Sequence, residues 1–235
     1  MIRAVIFDFD GLILDTESAE FRTFVEMYRS YGAELPVESW ARVVGSSDSD
    51  FDPYAYLESC VGQKLNREDL HRKRKQRHLA YIEEEEVLPG VVEVLEQARQ
   101  LGWGIGLASS SDRQWVEKYL NRFHLREYFT CIRTREDVKR TKPDPALYLQ
   151  AAECLGVDPA EAVALEDSPN GAVAAKRAGL KCIVVPNSVT QHFSFGEIDL
   201  RLDSLAELDL QTWSEGLAEK SLPLEKGKSD EGDWF

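Results

Sequence analysis

The chain has 235 residues, of which 43% are hydrophobic and 30% charged, a balance typical of a folded globular protein. This length suits one large domain, or one domain that carries an insert. The net charge of −14 argues against nucleic acid and anionic membrane surfaces as partners, because both are bound mainly through Lys and Arg side chains. No apolar run in the sequence approaches the ~20 residues that a transmembrane helix needs. We therefore expect neither nucleic acid nor membrane as a partner.

Cysteine usage indicates the redox compartment. The four cysteines form no paired motif of the kind that holds a metal. Cys131 and Cys182 lie in apolar, strand-like runs, which predicts buried free thiols, and such thiols are typical of a reducing compartment. The N-terminus runs directly into Asp8 and Asp10, so it does not resemble a secretion signal. The sequence therefore predicts a cytoplasmic protein.

The first predicted element is a strand that ends at two aspartates. An apolar run over residues 4–7 leads into Asp8, Phe9 and Asp10, and Gly11 follows. Side chains alternate along a strand, so carboxylates at i and i+2 can share a face, where they repel each other unless a cation or a proton intervenes. One aspartate could serve as nucleophile and metal ligand and the other as general acid and base. Taken alone, the motif is better explained as a solvated strand end.

A helical region follows the first strand. Apolar residues recur at helical spacing between residues 15 and 87, and the β/α alternation stops there. Helices are predicted over residues 18–31, 36–44, 52–61 and 67–85. The core resumes with a helix over residues 90–101.

Three later segments also carry polar residues of this kind. The apolar run 104–108 leads into Ser109 and Ser110 at the start of a helix, where hydroxyls and free N–H groups can hold an anion. Lys142 precedes a proline, which disfavours helical dihedrals and presents the lysine from a loop. The run 162–165 ends at two adjacent carboxylates, which a cation of the magnesium type would stabilise.

Each of these segments has an ordinary explanation by itself, as a helix cap, a solvated loop lysine or an acidic helix start. Together they place polar groups after successive strands of an alternating β/α chain. The carboxyl ends of parallel strands meet at one edge of the sheet, where ligands bind. The combination therefore predicts a single site at that edge.

In these motifs the chain resembles the haloacid-dehalogenase-type phosphatase superfamily, in the branch of β-phosphoglucomutase and sugar-phosphate phosphatases. The resemblance implies an α/β fold with a Rossmann-like three-layer α/β/α core and a mostly parallel sheet, formed by residues 1–14 and 88–213. It also implies a small all-helical cap at residues 15–87, inserted after the first strand. Residues 214–235 are predicted to form a poorly ordered or loosely packed tail. The motifs that carry the resemblance are, in chain order, Asp8 with Asp10, Ser109, Lys142, and Glu166 with Asp167.

The resemblance also implies an activity. We expect a Mg²⁺-dependent phosphatase that cleaves small phosphomonoesters such as sugar phosphates through an aspartyl-phosphate on Asp8. Asp10 would be the general acid and then the base, and Lys142 would assist catalysis. The implied partner is a small phosphorylated metabolite, and the implied assembly is a monomer or weak homo-oligomer. The expected phosphate-binding residues are Ser109, Ser110, Lys142 and Gly11. The expected Mg²⁺ ligands are Asp8, the Asp10 backbone carbonyl and Asp167, with Glu166 either a direct ligand or a residue that contacts the ligands. The expected substrate contacts from the cap are Thr16, Glu20 and Lys75.

Two alternatives remain open at this point. One is a β-phosphoglucomutase-type mutase, but Glu20 and Asp48 stand where the mutase pattern has histidine and arginine. The other is a phospho-accepting receiver-like or binding protein. Receivers run to about half this length and carry their aspartate on a later strand, whereas residues 129–133 contain none.

Overall fold

The computed structural model describes residues 1–40, 43–44 and 51–220, with the backbone alone for 218–220. Across these residues, no helix combines the length and the apolarity that a membrane span requires. Asp48, which bears on the mutase alternative, lies outside the described residues, as do residues 221–235.

A six-stranded sheet, with every strand pair parallel, forms the centre of the described molecule. The strands lie in the order β3-β2-β1-β4-β5-β6, so the first strand of the chain is central. The mostly parallel sheet expected from the sequence is confirmed. The strands are β1 (Ala4–Phe7), β2 (Gly104–Ala108), β3 (Cys131–Arg133), β4 (Ala162–Glu166), β5 (Lys181–Val184) and β6 (Leu200–Arg201).

Helices surround this sheet and also form the region inserted after β1. Among the described residues they are α1 (Thr16–Ser30), α2 (Val37–Trp40), α3 (Pro53–Val61), α4 (Arg67–Ile82), α5 (Val91–Gln100), α6 (Arg113–Arg122), α7 (Ala146–Leu155), α8 (Pro169–Arg177) and α9 (Leu210–Lys220). The predicted helix over residues 36–44 is shorter than expected, because α2 ends at Trp40 and residues 43–44 form a turn.

The two faces of the sheet bury different sets of helices. Val5 and Phe7 of β1 pack in one cluster with residues of α5 and α6. Ala4 and Ile6 point the other way, into a cluster with α7 and α8. Both faces of β1 are fully buried, as expected for a central parallel strand. This arrangement confirms the expected α/β/α layering.

The inserted helices have a hydrophobic cluster of their own. Phe24, Tyr28, Trp40 and Leu57 are buried together, away from the two clusters of the sheet. The two connections to the core pair with each other, because Leu14 and Val87 form an antiparallel bridge. The chain therefore leaves and re-enters the core at one place. We call residues 15–87 the helical insert.

The C-terminal boundary differs from the prediction. Helix α9 begins at Leu210 and continues to Lys220, so it crosses the expected boundary at residue 213. Trp213 and Leu217 both pack against the core cluster on the α5 face. Loose packing was therefore wrong for the stretch up to residue 217, because the apolar spacing of this short helix gives it a face to bury.

One of the cysteine predictions is also wrong. Cys131 on β3 and Cys154 on α7 form a disulfide, with Cα atoms 6.1 Å apart. Cys182 is a buried free thiol, as predicted, and Cys60 is an exposed one. The two paired cysteines are 23 residues apart in the chain and meet only because α7 packs on β3.

Candidate active site

Asp8 directly follows β1 at the carboxyl edge of the sheet. Its backbone N–H donates to the Leu165 carbonyl at 2.9 Å, which continues the pairing of β1 with β4. The side chain is only 4% exposed. Gly11 follows in a turn with φ of +81°, and a Cβ there would lie 2.2 Å from Asp167 Oδ2. Position 11, where the turn after β1 passes Asp167, therefore accepts only glycine.

Lys142 bridges two carboxylates from different strands. Its Nζ lies 2.7 Å from Asp8 Oδ1 and 2.7 Å from Glu166 Oε1, and the side chain is 1% exposed. Burial by itself would lower the pKa of Lys142, but the two carboxylates outweigh it and raise the pKa above its ordinary value. The lysine is therefore charged, and its loop between β3 and α7 places it beside the end of β1.

Glu166 is held on both carboxylate oxygens. Oε1 accepts from Lys142 and from the Tyr148 hydroxyl, and Oε2 accepts from Ser168 Oγ at 3.2 Å. A Cβ at Gly171 would lie 2.0 Å from this carboxylate. Glu166 is thus fixed in place by α7 and by the start of α8.

Asp167 presents an oxygen that none of the described residues contacts by a hydrogen bond. Its Oδ2 accepts from Asn187 Nδ2 at 2.7 Å, from the loop after β5. Its Oδ1 is buried and lacks a hydrogen-bond partner among the described residues. A buried acceptor left without a partner is costly, so this atom suits a ligand that the protein itself does not supply.

The carboxylates of Asp8, Glu166 and Asp167 form a buried acidic cluster, with one oxygen of each within 4.8 Å of the others. Burial raises the pKa of Asp8 to about 7, with Lys142 opposing the shift. Burial, followed by the charge of Asp8, raises the pKa of Asp167 well above its ordinary value. Three carboxylates against one lysine leave a deficit of positive charge. Together with the unpartnered Oδ1 of Asp167, this donor set fits a divalent cation that prefers oxygen ligands.

The Asp10 side chain makes its contacts on the other side of the turn. Among the described residues, Oδ1 accepts from Thr16 Oγ1 at 2.9 Å and from Trp115 Nε1 at 3.0 Å. Oδ2 accepts from Ser111 Oγ at 2.6 Å and from Ser109 Oγ at 3.4 Å. Asp10 thereby joins the helical insert, through Thr16, to the start of α6.

The serine run after β2 leads into the N-terminus of α6. Asp112 caps this helix by accepting from the Trp115 backbone N–H at 2.8 Å. Ser109 is fully buried, and its Oγ accepts from the Ser111 backbone N–H at 3.0 Å. Ser110 lines the cavity described next. Serine hydroxyls at a helix N-terminus, beside Asp10, form a local environment suited to an anion.

A cavity of about 450 Å³ lies between the sheet edge and the helical insert. Of the acidic and serine side chains described above, the core contributes Asp8, Asp10, Ser110 and Ser111. The insert contributes polar and charged side chains from α1 and α4. Its lining residues include Asp8, Asp10, Ser110, Ser111, Trp115 and Arg135 from the core, and Thr16, Glu17, Glu20, His71, Arg74, Lys75 and His78 from the insert.

A sequence model described as haloacid dehalogenase-like hydrolase matches residues 5–185. The chain belongs to this family. It is 49% identical over 210 residues to the candidate phosphatase YhcW of Bacillus subtilis (strain 168), covering 89% of this chain and 95% of that protein. It is 36% identical over 215 residues to hexitol phosphatase B of Escherichia coli (strain K12), covering 88% and 94%. The crystal structure of CbbY from Rhodobacter sphaeroides in complex with phosphate aligns with a TM-score of 0.71 at 32% identity, covering 91% and 100%.

Membership of the haloacid dehalogenase-like family confirms the family predicted from the four motifs. The cap candidates named from the sequence all line the cavity. Thr16 contacts Asp10, and Glu20 pairs with Arg74 at 2.6 Å. Lys75 is an exposed residue of α4 that also lines the cavity.

Several side chains at this family site were not predicted from the sequence. Ser111 continues the serine run and could have been included for that reason. Arg74 and His78 belong to the basic stretch of α4, four residues apart and therefore on one helix face. Trp115 and Asn187 carry no local signal, since their partners Asp10 and Asp167 are distant in the chain.

Proposed function

We propose that this protein is a Mg²⁺-dependent phosphatase that hydrolyses small phosphomonoesters, phosphorylated sugars among them, through an aspartyl-phosphate on Asp8. The observation that carries the proposal is the buried acidic cluster itself. Asp8 lines the cavity, contacts Lys142 at 2.7 Å and belongs with Asp167 to the acidic cluster. The proposed nucleophile Asp8, the charged Lys142 and the unpartnered Oδ1 of Asp167 therefore lie close together.

The proposed reaction runs in two steps. An Asp8 oxygen forms a bond to phosphorus while the bond to the ester oxygen breaks, and that leaving oxygen takes the proton of Asp10. Water then attacks the phosphorus of phospho-Asp8 and gives a proton to Asp10, while the bond between phosphorus and the Asp8 oxygen breaks. This step releases phosphate and regenerates both aspartates. One group thus serves as acid and then as base.

The other residues bind and position the phosphoryl group. Lys142 neutralises charge on its oxygens, and Ser109, Ser110 and the backbone at Gly11 donate hydrogen bonds to them. Asp8, Asp167 and the Asp10 backbone carbonyl would hold the Mg²⁺, with Glu166 orienting Lys142 beside it. The bound cation supplies the positive charge that lets an anionic ester approach three carboxylates. Phosphoryl transfer requires mainly such positioning and charge stabilisation.

The relatives and the size of the cavity support a small phosphorylated metabolite as substrate. One relative is named a hexitol phosphatase, and the CbbY structure holds phosphate. A cavity of about 450 Å³ suits a small ligand. We propose a monomer or weak homo-oligomer in the cytoplasm. The buried free thiol of Cys182 supports a reducing compartment, whereas the disulfide between Cys131 and Cys154 does not.

Hydrolysis is favoured over the mutase alternative. Glu20 stands where a mutase has histidine, and its carboxylate is engaged by Arg74 and lies 3.4 Å from His78 Nδ1. A carboxylate at this place does not deliver a proton to a second sugar hydroxyl at neutral pH as readily as histidine does. The receiver-like alternative is not supported, because the chain belongs to a hydrolase family.

The first test is phosphate release from p-nitrophenyl phosphate and from a panel of sugar phosphates. We expect turnover with Mg²⁺, none in excess EDTA, and none for Asp8→Asn, which removes the nucleophile while keeping the side-chain size. The matched control is Asp158→Asn, which changes a capping aspartate before β4, at the opposite edge of the sheet. Activity retained by Asp8→Asn, or full activity in EDTA, contradicts the proposed mechanism.

A further inference from the structure

The donors that hold the Asp10 carboxylate are not equivalent. Those from Thr16, Ser109 and Ser111 are hydroxyls, which rotate freely and can also accept. The Trp115 indole N–H, 3.0 Å from Oδ1, can only donate, and only along the direction set by its ring. The orientation of this carboxylate therefore depends most on where the indole ring is held.

The indole ring is held by packing on two sides of the cavity. Trp115 lies in the first turn of α6 and packs edge-on against the buried Tyr119, with ring centroids 4.6 Å apart. It also stacks on His78 of the insert, at 5.7 Å and an interplanar angle of 18°. Both contacts restrict rotation of the ring, so the N–H stays directed at Asp10.

The insert side of this stack is itself braced. His78 Nδ1 lies 3.4 Å from Glu20 Oε2, and Arg74 donates to the other oxygen of Glu20 at 2.6 Å. Arg74 also donates to the Tyr54 hydroxyl at 3.0 Å. A continuous set of contacts thus runs from α3 and α4 of the insert through the indole to Asp10.

We propose that Trp115 is a positioning residue for Asp10: its indole N–H orients the carboxyl for proton transfer, and the helical insert sets the position of the ring through His78. In this role Trp115 acts through Asp10, whose Oδ1 accepts its N–H at 3.0 Å. The inference rests on the proposed function, in which Asp10 is the acid and base.

The kinetic test uses Trp115→Phe, which keeps an aromatic ring against His78 and Tyr119 but removes the N–H. We expect kcat for p-nitrophenyl phosphate to fall roughly tenfold, as for loss of one hydrogen bond to a charged group, with KM within about twofold. The matched control is Trp103→Phe, a half-buried core tryptophan outside the cavity, with kcat unchanged. An unchanged kcat for Trp115→Phe, or a loss that appears in KM alone, overturns the proposal.

A second measurement does not depend on turnover. The chain has five tryptophans, so its ¹H–¹⁵N spectrum contains a small, separate set of indole signals. We expect Asp10→Ala to shift the assigned Trp115 indole signal upfield and to move the others less, because among the tryptophans that the structure describes only Trp115 donates to Asp10. A Trp115 signal that stays in place overturns the positioning role.

The two measurements also separate this inference from the proposed function. A wild-type protein that hydrolyses none of the esters fails the proposed function, whatever the indole signal does. A wild-type enzyme that turns over, with a Trp115 signal indifferent to Asp10→Ala, fails the inference and leaves the phosphatase proposal standing. Should Trp115→Phe fold poorly, the indole signal in Asp10→Ala still decides the contact.

Discussion

The sheet edge and the insert wall of the cavity differ in how deeply their charged side chains are buried. On the sheet edge, the acidic cluster and Lys142 are almost completely buried, with Lys142 1% exposed and Glu166 0% exposed. On the insert wall, Arg74 and Glu20 have side chains 10% and 29% exposed and lie on α4 and α1. A charge without its partner is far more costly in the first environment than in the second. Under the proposed function, the sheet edge carries the phosphoryl transfer, while the insert contacts the substrate and holds the Trp115 ring through His78.

The largest expected effect comes from removing the buried cation. Lys142→Met keeps the length of the side chain but leaves Asp8 and Glu166 buried without their partner. We expect a loss of stability of about 3–5 kcal/mol and a fall in turnover of at least ~10²-fold, measured by chemical denaturation and phosphate release. The matched control is Lys64→Met on the insert, because the Lys64 side chain is 88% exposed and its partner Glu58 keeps Arg67, so this loss should be small. Equal stability losses in both variants would contradict the difference between the two walls.

Comparing the protein with Mg²⁺ and with EDTA tests whether the acidic cluster binds the proposed cation. In the metal-free protein, burial raises the pKa of Asp8 from 3.8 to about 7. The folded state then binds more protons than the unfolded chain between these values, so metal-free stability falls as the pH rises through this range. We expect the gain in Tm from Mg²⁺ over EDTA to be larger at pH 8 than at pH 5, and Asp167→Asn to reduce it. A gain independent of pH would argue against a cation in the acidic cluster.

A smaller effect is expected from crowding the same wall. A Cβ at Gly171 would lie 2.0 Å from the Glu166 carboxylate, so Gly171→Ala should destabilise the fold by about 1–3 kcal/mol and lower turnover by displacing Glu166. Gly216→Ala is the matched control, since a Cβ there meets nothing within 4 Å. This substitution also replaces a glycine in the interior of α9. We expect that control to gain about 0.5–1 kcal/mol. Denaturation midpoints that move in the same direction for both variants would show that the sheet edge is less tightly packed than the structure indicates.

The smallest effect is expected on the insert wall. Arg74→Met leaves the Glu20 carboxylate uncompensated in the cavity, where it repels a phosphorylated substrate. We expect KM for a sugar phosphate to rise about tenfold, an effect of ~1.4 kcal/mol. We expect kcat for p-nitrophenyl phosphate to fall less than for Trp115→Phe, because Arg74 acts on the indole only through Glu20 and His78. Arg72→Met is the matched control, because Arg72 pairs with Asp69 on the exposed side of α4. A fall in kcat for both esters larger than that of Trp115→Phe would mean that Arg74 itself contacts the reacting groups.

Much of the fold and of the sheet edge followed from local sequence pattern. Apolar runs predicted β1, β2 and β4, and the polar residues after them predicted the side chains at one edge. Asp8, Glu166 and Asp167 could be assigned to one cluster because parallel strands in an alternating chain end on the same side. The insert was placed at residues 15–87 because strand periodicity stops there and helical periodicity begins.

Only the tertiary structure decided how those side chains are held. The contact between Trp115 and Asp10 spans 105 residues, and that between Asn187 and Asp167 spans 20. The Cys131–Cys154 disulfide and the packing of Leu217 in α9 likewise depend on which elements lie against each other. Periodicity and motif spacing report the backbone state and the face of each residue. Partners across the fold are set by the packing of whole helices on the sheet, which no local window of sequence contains.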